Sequence, residues 1–95
     1  MVVGLCQIEL HLPDSRSLKD KRSVIHSLIA RLHNEFNISC AEIDHLDAWH
    51  SAGLGLAVVS NEVAHAQKVL SAALRWIEVN RPDLLIIDHS IEIIQ

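Results

Sequence analysis

The apolar residues of this chain switch between two spacings, and the order of those switches constrains the fold more than any other feature. Residues 2–12 alternate, with Val2, Gly4, Cys6, Ile8, Leu10 and Leu12 on one parity and Val3, Leu5, Gln7, Glu9 and His11 on the other. A period of two is the signature of a strand with one buried face. Pro13 ends it, because proline cannot donate to a ladder. Leu18, Ile25, Leu28, Ile29, Leu32 and Phe36 then recur mostly at three- and four-residue spacing, which predicts an amphipathic helix over 18–36. Ser17 is its expected N-cap, with Asp20 placed to reach back.

The second half repeats the pattern. Residues 38–45 read as a strand whose buried face is undecided, because Ile38 and Ile43 have opposite parity. A polar connection at 46–52 follows, and then the strand 53–59, apolar on both parities as a central strand should be. Ser60 and Asn61 are expected caps. Val63, Ala66, Leu70, Ala73, Leu74 and Ile77 define a helix over 62–80, stopped by Pro82. The last strand alternates Leu85, Ile87, His89, Ile91 and Ile93 against Ile86, Asp88, Ser90, Glu92 and Ile94, which makes His89 an expected core histidine. Strand, helix, strand, strand, helix, strand with right-handed crossovers gives an α+β, ferredoxin-like βαββαβ sandwich. Its antiparallel sheet has the order 4-1-3-2, and both helices cover one face.

Ninety-five residues, 49% of them hydrophobic with few Gly and Pro, fit one domain over 1–95 and exclude disorder. No apolar run approaches the ~20 residues that span a bilayer. The start lacks a basic leader, so a cytoplasmic protein is expected. Cys6 and Cys40 have no Cys-x-x-Cys spacing and read as free, half-buried thiols. No nucleophile elbow, phosphate-binding glycine loop or His-Glu-x-x-His is present. The expectation is a protein that is not an enzyme and carries no cofactor.

Net charge is −4, which excludes a globally basic nucleic-acid binder, but the charge is uneven. Residues 14–31 hold five of the eight basic residues and only two of the twelve acidic ones. Cations at a helix start oppose the macrodipole by about 0.3–1 kcal/mol each. A local rule broken in this way tends to mark function. Arg16, Ser17, Lys19, Lys21 and Arg22 are therefore the expected anion- or RNA-binding set, against the plainer reading of a solvated charged face. The aromatics Phe36, Trp49 and Trp76 all fall off the strands, which argues against base stacking on the sheet.

His45, Asp47 and His50 form a weaker set, with the donor types of a metal site but no fourth ligand nearby in sequence. They read more simply as a polar connection, completed by Glu9 and His11 only if that connection folds back on the first strand. Val3, Leu5, Ile86 and Ile94 fall on the expected uncovered sheet face. They predict a homodimer through that face or through the last strand, which is an edge free of lysine and proline.

The run from Met1 to Arg22, with SLKDKR at 17–22, and the segment LGLAVVSN at 54–61 resemble the bacterial YlxP-like family, a domain of unknown function. The resemblance covers nearly the whole chain. Ser17, Leu18, Lys19, Lys21, Arg22, His45, Asp47, Trp49, Ser60 and Asn61 fall at its motif positions, whereas His50 falls where the family varies. It implies a ferredoxin-like cytoplasmic protein without established activity, often encoded beside ribosome-maturation factors such as ribosome-binding factor A. RNA or ribosome contact follows by association. The alternative is a homodimeric module that binds a small molecule or anion.

Overall fold

The computed structural model describes residues 1–95. β1 (Val2–His11), α1 (Leu18–Glu35), β2 (Ser39–Asp44), β3 (Ser51–Ser60), α2 (Val63–Asn80) and β4 (Leu85–Ile94) follow in that order. The four strands make one antiparallel sheet ordered β2-β3-β1-β4. This is the expected α+β ferredoxin-like sheet, read from its other edge.

Val2, Cys6, Ile8 and Leu10 of β1 and Ala52, Leu54, Leu56 and Val58 of β3 point to one side. There they bury against Ile25, Leu28 and Leu32 of α1 and Ala66, Leu70, Ala73 and Ile77 of α2. Each fully buried aliphatic side chain contributes about 1.5–3 kcal/mol, so the two central strands and the helix stripes carry most of the stability. Val3, Leu5, Gln7, Glu9 and His11 share the other side, which no helix covers.

Two β-bulges explain where parity misleads. Between Glu9 and Leu10 the pairing with β4 slips, so that Glu9 opposes Asp88 while Leu10 opposes Ile86. The slip turns Ile86 to the helix side, half-buried against the core, and leaves Leu85 opposite His11. Ile86 is therefore not on the uncovered face that its parity indicated. Val3, Leu5 and Ile94 are there, with Val3 opposite Ile94. A second slip between Glu42 and Asp44 leaves Ile43 as the extra residue. Ile38 packs on the core and Ile43 lies exposed over Gly55, so their opposite parities place them on opposite faces, and the bulge turns Asp44 to the uncovered side as well.

His89 also departs from expectation. It opposes Ile8 but is exposed, because β4 is an edge at the margin of the helix layer. At α2 the N-cap is Glu62, which makes no side-chain cap hydrogen bond. Ser60 instead accepts from the Glu62 N–H at 3.1 Å, and its hydroxyl lies 3.1 Å from His65 Nδ1.

Candidate functional site

One end of the molecule gathers the residues with chemistry to offer. Right after β1 the chain turns through residues 12–17 into α1, and the β2–β3 connection lies against that turn. The Leu12 N–H donates to the His50 carbonyl at 2.8 Å. Ser17 caps α1 by accepting from the Asp20 N–H at 3.0 Å. The Asp20 carboxylate reaches back as expected, though to the N–H of Arg16 rather than of Ser17.

Lys21 is fully buried, which removes it from the expected binding set. Its Nζ lies 2.6 Å from Glu42 Oε2 and donates to the carbonyls of His45 at 2.7 Å and Leu46 at 3.4 Å. A buried ammonium needs several acceptors to offset its lost hydration, and here it has one carboxylate and two carbonyls. Lys21 ties α1 to the end of β2 and holds the following connection in place. It is a structural latch, not a phosphate contact. The Ser17 hydroxyl is likewise spent on the cap.

Three cations of the expected set remain, and Lys68 and Arg75 on α2 are likewise exposed and without a carboxylate. Lys21, Arg31 and Arg81 find carboxylates, at Glu42, Glu35 and Asp83. The bidentate Arg81 contact also holds the Asp83 carboxyl below its ordinary pKa. Arg16, Lys19 and Arg22 have no such partner and are exposed. Lys19 and Arg22 stand one turn apart on α1, so the three form a short basic strip at its start.

His45, Asp47 and His50 do not converge. His45 has a positive φ of 59°, which turns its ring over the uncovered face. Its Nε2 lies 3.0 Å from Glu9 Oε2 and 3.8 Å from Asp44 Oδ2. The His50 ring stands 6.3 Å from that of His11, and Asp47 is exposed. The connection does fold back onto Glu9 and His11, as a completed site would have required. The group of donors it assembles is Glu9, Asp44 and His45.

Glu9 and Asp44 also border a hollow of about 200 Å³ that takes in Gln7, Gly53, Asp88 and Ser90. Gly53 is needed there, because a Cβ at that position would meet the Asp44 Cβ at 2.8 Å. Two carboxylates and an imidazole can hold a cation or a proton. The partners of the His45 ring nitrogen are carboxylates, so it activates no hydroxyl or thiol. Cys6 and Cys40 are free, and burial pushes both thiols up to about 11, far from nucleophilic readiness at neutral pH.

Trp49 escaped the sequence reading as a site residue, although it is the most exposed aromatic. It is 50% exposed, beside Leu46 at 55%, on the connection that Lys21 fastens. Phe36 and Trp76 instead pack on the core, with the Arg31 guanidinium 5.2 Å above the Trp76 ring.

A family model described as "Protein of unknown function (DUF503)" matches residues 3–91. An uncharacterized protein, YlxP, of Bacillus subtilis (strain 168) is 34% identical over 77 residues, which is 81% of this chain and 84% of that protein. Among solved structures, a VAO-type flavoprotein from Myceliophthora thermophila C1 superposes with a TM-score of 0.56 at 15% identity. That match covers 99% of this chain but only 18% of the flavoprotein, and it speaks for the fold alone. No helix is long and apolar enough to cross a membrane.

Proposed function

The chain belongs to the DUF503 family of proteins of unknown function, and on that footing we propose that it is a non-enzymatic, cytoplasmic accessory protein that contacts RNA or the ribosome through phosphate groups. The observation that carries this reading is the strip of Arg16, Lys19 and Arg22, exposed and without carboxylate partners on a chain of net charge −4. An acidic protein that leaves three neighbouring cations free at one helix start keeps them for an anion, and a nucleic-acid backbone offers several phosphates to engage them together.

Three contacts set the strength of the interaction. The log–log salt slope is about −2.7 on duplex RNA and about −2 on single strands, from roughly −0.9 and −0.7 per phosphate. Ribosome co-sedimentation at low and high salt is the direct test. Association at low salt that disappears at high salt, and in the Arg16→Ala/Lys19→Ala/Arg22→Ala variant, supports the reading. No association at low salt would move the strip to the alternative role of holding one small anion.

A second reading concerns assembly and rests on a different observation. Four of the exposed large apolar side chains, Leu85, Ile87, Ile91 and Ile94, lie on β4, an edge strand of ten residues with no lysine, arginine or proline. Such an edge is a template for another strand. A second copy is the occupant we propose, so that the active species is a homodimer.

A further inference from the structure

The chain has one strongly exposed aromatic, and it stands at the same end as the free cations. Trp is among the most thoroughly buried residue types on average, yet Trp49 is 50% exposed. The connection that carries it is not loose. Lys21, from the first turn and a half of α1, grips the carbonyls of His45 and Leu46. The Leu12 N–H holds the carbonyl of His50, just past the tryptophan. The Ala48 N–H closes the turn onto the His45 carbonyl at 3.0 Å. Trp49 is thus presented on a connection pinned from both sides to the segment that bears Arg16, Lys19 and Arg22.

We infer that residues 45–50 and the start of α1 form one site for single-stranded RNA, in which Trp49 stacks an unpaired base while Arg16, Lys19 and Arg22 hold neighbouring phosphates. The inference rests on the phosphate-contact reading above and adds to it a ligand class and a base-contacting residue. Charge complementarity selects a polyanion. The indole selects a nucleic acid whose bases are free, since a base inside a duplex offers no open face to a side chain. Cations tracking a backbone beside an aromatic platform are the usual equipment of single-strand binders. The carboxylates of Glu9, Asp44 and Asp88 lie at this same end, on the uncovered sheet face beside His45, and repel the strand from that face toward the start of α1.

Fluorescence anisotropy at low salt, with a labelled single-stranded RNA of about twelve nucleotides and an RNA duplex of the same length, tests the site. Trp49→Ala is expected to weaken single-strand binding about tenfold, as loss of one base–aromatic stack does, and to leave duplex binding unchanged. Trp49→Phe should restore most of the loss. The Arg16→Ala/Lys19→Ala/Arg22→Ala variant should weaken both probes. Equal single-strand affinity for Trp49→Ala and the native chain, with the cation dependence intact, would overturn the stacking site alone and leave the phosphate reading standing. No binding of either probe at low salt would overturn both. Because Trp49 is half-exposed its removal leaves the core untouched, and circular dichroism of each variant verifies the fold.

Discussion

Lys21 Nζ and the His45 carbonyl oxygen are 2.7 Å apart, although 24 residues separate them in the chain. With Glu42 at 2.6 Å, this contact joins the first helix, the end of β2 and the most function-bearing connection in the molecule. Removing one partner of a buried ion pair costs about 3–5 kcal/mol, because the other charge is stranded. Lys21→Ala should therefore lower the melting temperature by roughly 25 °C, at about 4–8 °C per kcal/mol for a domain of this size. Glu42→Gln should cost less, because Lys21 keeps both carbonyls. Thermal unfolding followed by circular dichroism measures both, and an unchanged midpoint for Lys21→Ala would contradict the latch.

His45 balances a backbone cost against a side-chain gain. Its φ of 59° lies in the left-handed region, which costs an L-residue roughly 1–2 kcal/mol and glycine almost nothing. The exposed contact with Glu9 returns about 0–1 kcal/mol. The backbone term is at least as large, so His45→Gly should be neutral or slightly stabilising in denaturant unfolding. His45→Val should lose about 1–2 kcal/mol, since a branched side chain tolerates this region least. A His45→Gly variant that unfolds as readily as His45→Val would show that the imidazole contributes far more than an exposed ion pair. Elemental analysis that finds stoichiometric zinc, lost with the histidine, would give the reason.

The strands, the helices and the sheet order were legible because period two and period 3.6 are backbone geometry written into apolar residues. What parity could not show is a bulge. Ile86 and Ile43 each lie beside a one-residue slip in pairing, and nothing in their own side chains marks it. Lys21 is a different case, because its signal was present. Leu18, Lys21, Ile25, Leu28 and Leu32 step by three and four along one helix stripe, and only the lysine breaks its apolar character. A cation on a buried stripe requires a buried carboxylate, and Glu42 shares its face of β2 with half-buried Cys40. The basic run drew attention as a count of charges, whereas helical phase separates the buried lysine from the three exposed cations.

Cys6 and Cys40 both oppose Leu56, from β1 and from β2. A whole strand therefore lies between them, and two strand spacings of about 4.8 Å exceed the Cα separation that a disulfide tolerates. Oxidation should leave both thiols free in the folded monomer. Burial raises both thiols from 9.0 to about 11, so the folded state favours the protonated form. Their contribution to stability is complete below pH ~9 and disappears as pH rises through ~11. Alkylation by iodoacetamide at pH 8 should be slow in the native protein and fast in urea, and denaturant midpoints should fall between pH 9 and 11. Rapid native alkylation at pH 8 would place the thiols nearer the surface than their burial allows.

The homodimer can be tested by the geometry of the two sheet edges. β2 is a poor template, with six residues, a bulge at Ile43 and a left-handed turn at His45. β4 offers ten residues, and Leu85, Ile87, Ile91 and Ile94 are all exposed along it. A stable dimer buries about 1,200–2,000 Å² in total, hence at least about 600 Å² per copy, roughly a tenth of the 5780 Å² surface. Strand addition at β4 reaches that figure only if apolar side chains beside the edge are covered as well, and Val3 adjoins it opposite Ile94 on the uncovered face. Light scattering at about 100 µM should return twice the 10.6 kDa chain mass. Ile91→Lys should dissociate the dimer, because a lysine on an edge strand is a standard block to pairing. Leu5→Glu separates the two modes of association. Face-to-face packing brings two carboxylates together near the two-fold axis and fails, whereas edge pairing places them apart and survives. A native chain that scatters as a monomer at that concentration would rule out both modes.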